Sequence, residues 1–135
     1  MNHVPQIELE SAEKIKKFQE ERLRETLNYV SLNSPFYRSL FKANNIDVQS
    51  IRSLDDLTRI PPTTKDQLSE NNWDFLCVSK KEIVEYCSTS GTLGKPVTIA
   101  LTKDDLQRLA YNELISFVCA EGTNEDVYQL ILTLQ

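Results

Sequence analysis

Ser88-Thr89-Ser90-Gly91-Thr92-Leu93-Gly94-Lys95-Pro96 holds two of the three glycines in this 135-residue chain. Four hydroxyl side chains (Ser88, Thr89, Ser90, Thr92) and one cation, Lys95, surround Gly91 and Gly94. Glycine reaches positive φ without strain, so neighbouring backbone N–H groups can turn inward as an anion-binding nest. The hydroxyls add short donors, and lysine adds a compact point charge suited to phosphate oxygens. Two readings stand side by side: a phosphate cradle, or a polar hairpin loop built from ordinary turn formers. A Walker A loop is excluded, because only two residues separate the glycines and proline follows the lysine. No G-x-G-x-x-G dinucleotide fingerprint is present.

The flanks of this stretch read as strands. Glu82 to Cys87, with Ile83, Val84 and Tyr86, forms one, and Val97-Thr98-Ile99-Ala100-Leu101 forms its partner, each of ordinary strand length. The glycine-bearing loop joins them, which sets its N–H groups at a strand end. Thr102, followed three residues later by Asp105, caps a helix whose inner face is Leu106, Leu109, Ala110, Leu114, Phe117 and Val118. Gly122 is placed to end that helix in a left-handed cap. The apolar run Val127-Tyr128-Gln129-Leu130-Ile131-Leu132-Thr133-Leu134 suits a central strand of a parallel sheet, covered on both faces. Such a strand needs neighbours that 135 residues do not supply. The pattern therefore predicts the opening of a longer α/β domain, the alternative being a self-contained α+β module.

Before the loop lies a leader of short helices. No clear period runs through residues 1–9, and Pro5 interrupts them, so a frayed start is expected. From a cap at Ser11, Ile15, Phe18, Leu23, Leu27 and Val30 form an apolar stripe on a helix of about twenty residues, with a Lys- and Glu-rich solvated remainder. Ser34-Pro35 opens a second helix, its proline in the first turn where the missing N–H costs nothing. Phe36, Tyr37, Leu40 and Phe41 give that helix an aromatic inner face, and Asn44-Asn45 ends it. Ser53 to Asp56 and Thr64 to Gln67 have capping-box spacing for two more short helices, with Ile60-Pro61-Pro62 between them. Trp73, Phe75 and Leu76 follow as an aromatic packing cluster. The expected division is residues 1–75 as leader and 76–135 as the start of an α/β nucleotide-binding unit, with the loop at 88–96.

Composition narrows the function classes. Twenty acidic against fifteen basic residues, a net charge of −5, argue against a nucleic-acid backbone as partner. No apolar run approaches the roughly twenty residues of a membrane span, and the polar, charged N-terminus does not read as a secretory signal. Cys77, Cys87 and Cys119 are widely spaced, with no close pair for zinc. They read as buried, reduced thiols, which favours a reducing, cytoplasmic setting. The acids near the loop (Glu82, Glu85, Asp104, Asp105) read as solvated strand ends and caps, and none is assigned to acid–base work. Ser90 lacks a neighbouring histidine and a G-x-S-x-G frame, which removes a nucleophilic role.

Thr89 to Pro96 resembles the phosphate-binding loop of the adenylate-forming enzymes, whose acyl-CoA synthetase and phenylacetate-CoA ligase branches carry SSGTTGKP or close variants. Seven of eight positions agree in kind, and Leu93 is the departure, replacing a hydroxyl that can donate to phosphate. Three segments upstream resemble the leader of the phenylacetate-CoA ligase branch in the same order: Ser34 to Arg38, Ile51 to Leu57 and Ile60 to Leu68. The resemblance implies an α/β fold with a short-helix leader, then the strand-loop-strand-helix-strand opening of the N-terminal domain of such an enzyme. It implies ATP, magnesium and coenzyme A as cofactors, and a small carboxylic acid as substrate, aromatic acids among the candidates. The reaction implied is attack of a carboxylate on the α-phosphorus of ATP, followed by displacement of AMP by the coenzyme A thiolate. Thr89, Ser90, Gly91, Thr92, Gly94 and Lys95 would then bind the β- and γ-phosphates, by positioning and electrostatics rather than by a protein nucleophile. The family's adenine, ribose and C-terminal lysine motifs are not found, so catalytic residues are assigned to none of these positions. The chain alone is expected to be inactive. A non-catalytic phosphate-binding or interaction module remains the alternative, and the aromatic leader offers a surface for a homodimer.

Overall fold

The computed structural model describes residues 5–89 and 96–129. After a 3-10 turn at Gln6–Leu9, α1 spans Ala12–Asn33 and α2 spans Pro35–Ala43. Further 3-10 turns follow at Val48–Ser50 and Asp55–Arg59, then α3 at Lys65–Glu70 and a 3-10 turn at Asn72–Phe75. A last 3-10 turn, Lys80–Glu82, leads into β1, Ile83–Ser88; β2 is Thr98–Thr102 and α4 is Lys103–Cys119. The two strands pair antiparallel, Ser88 opposite Thr98 and Tyr86 opposite Ala100, with an irregularity between Ile83 and Glu85. Helices therefore dominate a small hairpin.

Capping chemistry sets most of these boundaries. The Ser11 side chain accepts from the Lys14 N–H, and that of Ser34 accepts from the Tyr37 N–H. Thr64 with Gln67, and Thr102 with Asp105, form reciprocal capping boxes. Ser53 and Asp56 make the same exchange, but the segment they open is a 3-10 turn rather than an α-helix. α2 ends in a Schellman pattern: Asn45 adopts φ 52°, its N–H bonds the Lys42 carbonyl, and the Ile46 N–H bonds the Phe41 carbonyl. α4 ends in the same pattern, with Glu121 at φ 59° in the left-handed position instead of Gly122. The glycine lies one residue later for a different reason: a Cβ at Gly122 would stand 2.6 Å from the Tyr128 hydroxyl.

The core belongs to the leader. Leu27 of α1, Phe41 of α2 and Ile51 are buried together, with Leu23, Val30, Tyr37, Leu40, Ile46, Val48 and Ile60 packed around them. Phe36 stacks on Phe75 at 3.9 Å between ring centroids, so the aromatic face of α2 is used internally. The ion pairs of α1, Lys14–Glu10, Lys16–Glu20 and Arg22–Glu25, lie at the surface and contribute little.

Several sequence expectations are corrected. Phe18 and Trp73 are exposed rather than packed away, and so are the thiols of Cys87 and Cys119; Cys77 is half-buried. Part of the segment expected to fray forms the turn at Gln6–Leu9. On α4, Leu109, Leu114 and Phe117 were expected inside but are 41–48% exposed, the described partners of the helix being β2 and, at Phe117, the Tyr128 ring. Val127, Tyr128 and Gln129 form no strand, and Leu130 to Leu134 lie outside the described residues. Tyr128 instead turns back, its hydroxyl donating to the Thr123 carbonyl and its ring set edge-on to Phe117.

Asp56 exposes a pH dependence. It accepts from the main-chain N–H groups of Arg52 and Ser53 and from the Ser53 hydroxyl, which lowers its carboxyl from 3.8 to about 2. Main-chain donation from Thr102 and from Thr123 likewise lowers Asp105 and Asp126. A carboxyl depressed in the folded state contributes stability that is complete above its unfolded pKa and is lost as pH falls through the folded one. Urea midpoints should therefore fall as pH drops from about 4 to about 2. In Asp56→Asn the midpoint should be lower at neutral pH and its decline over that window shallower.

Candidate functional site

The loop between β1 and β2 is closed at its base by Thr89 and Val97. The Thr89 N–H donates to the Val97 carbonyl at 3.0 Å, continuing the ladder one step past Ser88 and Thr98. The return bond is different: the Val97 N–H donates to the Thr89 side-chain Oγ1 at 3.0 Å, where a regular ladder would use the carbonyl. The hydroxyl thus substitutes for the main chain and lets the backbone leave the strand at residue 89. Val97 is buried, which anchors the other side. An oxygen that accepts from Val97 still carries a proton to donate.

A third chain segment holds the same place. The Asn72 amide donates to the Thr98 carbonyl at 2.8 Å and accepts from the Thr98 N–H at 3.0 Å. One side chain thereby satisfies both main-chain groups of a strand residue, as a neighbouring strand would. Two residues on, the Asp74 carbonyl accepts from the hydroxyl of Ser34, which is completely buried and also caps α2. Phe75 stacks on Phe36. The leader core, the turn at Asn72–Phe75 and the loop base form one connected series of contacts.

Of the sequence-derived site residues, Thr89 is brought to the loop base. Ser90, Gly91, Thr92, Gly94 and Lys95 lie outside the described residues, as does Leu93. Asn72 was missed, because its partner is 26 residues away and nothing local marks it. The acids assigned to structure behave so. Glu82 bonds the Ser79 N–H, and Asp105 caps α4 and pairs with Arg108. Among the described residues no group of His, Cys, Asp and Glu side chains converges as a metal site. No helix of the described residues is long and apolar enough to cross a membrane.

Cys87, the residue before the loop segment, carries an exposed thiol whose ionisation is disfavoured. Partial desolvation pushes its thiol up from 9.0, and Glu85, whose carboxylate accepts from the sulfur at 3.6 Å, adds to the shift. The thiol stays protonated at neutral pH. In sequence, residues 88–96 offer hydroxyl donors and the Lys95 cation and contain no carboxylate. That donor set suits an anion.

Removing the Asn72 amide should loosen the hairpin while leaving the leader in place. Asn72→Ala strands two half-buried main-chain groups, a loss of about 2 kcal/mol. Hydrogen exchange should speed up at Thr98 and Val97 and stay unchanged at Leu27 and Phe41. Asn72→Asp keeps the acceptor for the Thr98 N–H but sets a carboxylate against its carbonyl, and should be worse at pH 7 than at pH 3.

Known proteins bear on this arrangement. No family profile matches the chain. Over 111 residues, 82% of the chain, it is 37% identical to a phenylacetate-coenzyme A ligase of Thermus thermophilus, and covers 25% of that protein. The phenylacetate-coenzyme A ligase of Escherichia coli is 33% identical over 121 residues, 89% of the chain and 28% of the relative. Among solved structures, a 2-hydroxyisobutyryl-CoA ligase in complex with 2-HIB-AMP and CoA superposes with a TM-score of 0.70 at 28% identity, over 76% of this chain and 23% of that one. The chain spans about a quarter of the length of the curated relatives it matches. By sequence and by fold, it is a relative of the N-terminal portion of the phenylacetate-CoA ligase branch of the adenylate-forming enzymes.

Proposed function

We infer that the chain carries the phosphate-gripping loop of an ATP-dependent, AMP-forming carboxylate–CoA ligase similar to the phenylacetate-CoA ligases. In the complete enzyme a carboxylate attacks the α-phosphorus of ATP, giving an acyl-adenylate and pyrophosphate, and the coenzyme A thiolate then displaces AMP. Residues 1–75 support the hairpin, and residues 76–135 open the nucleotide-binding unit. Thr89, Ser90 and Thr92 donate to the β- and γ-phosphates, Gly91 and Gly94 allow close approach of the backbone, and Lys95 offsets the charge gathering on departing pyrophosphate. Magnesium, when bound, neutralises phosphate charge; with no carboxylate in the loop, its ligands here would be hydroxyls and the phosphates themselves. No residue of this chain is assigned to coenzyme A or to the acid. Three unpaired thiols and the kinship favour a cytoplasmic setting.

The single observation that carries the reading is the coincidence of a ligase kinship with a hydroxyl-and-lysine loop pinned at both ends. The chain covers about a quarter of its ligase relatives, and on this reading what it does alone is limited to the loop. It binds phosphates weakly and does not form adenylates.

Calorimetric titration of the 135-residue chain with inorganic tripolyphosphate tests the first half. Lys95→Ala should weaken binding about tenfold or more, the loss expected for a charge-assisted contact. Thr89→Ala should weaken it too, and should also destabilise the hairpin through Val97. Pyrophosphate exchange into ATP, assayed with phenylacetate and with aliphatic acids, should stay at background for the chain alone. Tripolyphosphate affinity indifferent to Lys95 would favour the competing reading, a module whose interactions do not involve the loop.

A further inference from the structure

The apolar side chains of this protein are divided unevenly. Leu27, Phe41 and Ile51 are buried in the leader, whereas Val97 is the single buried apolar residue described from position 73 onward. Each strand of the hairpin has one strand neighbour among the described residues, and a lone two-stranded hairpin is marginal in water. α4 begins with a complete capping box and ends in a Schellman turn, so its two ends are well specified. Between them, Leu106, Leu109, Ala110, Leu114 and Phe117 recur at helical steps as one apolar stripe. That stripe is half open to solvent, its described partners being β2 and, at Phe117, the ring of Tyr128.

We propose that the α4 stripe is the docking face for the polypeptide that the longer ligases carry beyond the quarter matched by this chain. Two quantities select this occupant over a second copy. The kinship leaves about three-quarters of each relative unaccounted for by these 135 residues. The stripe itself is small: a helix of 17 residues is about 25 Å long and about 10 Å across, some 250 Å², against roughly 800 Å² per partner in a stable association of separate chains. A patch of that size holds a partner that is covalently continuous, where effective concentration replaces interface area. The inference rests on the kinship with the longer ligases, and not on the assignment of the phosphate loop.

The test compares one substitution pair in two settings. Leu109→Gln with Leu114→Gln, which adds no trypsin site, is made in the 135-residue chain, and again in a chimera where this chain replaces the matched quarter of the Thermus thermophilus ligase. In the chain alone the pair should leave the far-ultraviolet dichroism and the trypsin cleavage rate unchanged, with a monomer in sedimentation before and after. In the chimera it should raise the trypsin cleavage rate about tenfold or more, since two apolar side chains lose a buried setting. Leu9→Gln, on an exposed leader side chain, should change neither protein.

Three results would overturn the proposal. Indifference in both settings would mean a face that stays in solvent. Equal damage in both would mean that the chain's own residues 130–135 or a second copy cover it. A chimera with the native stripe that fails to fold, where the Thermus ligase folds, would mean that the face does not fit that body. The readout is cleavage rather than turnover, so a folded but inactive chimera would count against the phosphate-loop reading alone.

Discussion

The carboxamide of Asn72, bonded to both main-chain groups of Thr98, is the contact on which the loop's position depends. Beside it, the Trp73 ring meets Tyr86 of β1, a strand that buries little of its own surface. The amide is itself held. The turn that carries it continues into Asp74 and Phe75, fixed by the buried Ser34 hydroxyl and by the ring of Phe36. Order passes from a leader core that packs itself, through four residues of turn, to the strand on which the loop ends.

This arrangement explains how a helical leader steadies the loop that follows it. Preorganised donors act on developing charge only if they do not have to be rearranged first. A loop on a free two-stranded hairpin would pay for its own ordering at each encounter. Here Thr89 and Val97 close the base, and Asn72 adds a substitute third strand. Cys87 on β1 keeps a thiol raised from 9.0 by partial desolvation and by the neighbouring Glu85 carboxylate.

What was legible in the sequence was chiefly local. Ser11, Ser34-Pro35, Thr64 with Gln67, and Thr102 with Asp105 announce helix starts because a cap and its N–H partner lie three residues apart. Asn72 announces nothing, because an asparagine before an aromatic residue looks like any turn former until Thr98 arrives from 26 positions away. Gly122 misled for a related reason. A glycine after a helix suggests a left-handed cap, yet Glu121 takes that conformation and Gly122 makes room for the Tyr128 hydroxyl. The stripe on α4 was readable as a pattern, but periodicity states that a face is apolar and not what covers it. Most of the loop's own residues, Ser90 to Lys95, lie outside the described part, so their assignment stays on the sequence side.

Trp73, the only tryptophan in the chain, follows Asn72 directly. Its half-exposed indole lies edge-on to Tyr86 of β1, 6.2 Å between centroids, with the Lys80 ammonium 5.3 Å from its ring. A single tryptophan at the joint between leader and hairpin reports on that joint. Beside water, its neighbours are one cation and one phenol ring, both carried by the segment that leads into the loop. The protein therefore contains an intrinsic optical probe of whether the hairpin is seated, readable without labels when excitation spares the tyrosines, Tyr29 and Tyr37 of the leader among them.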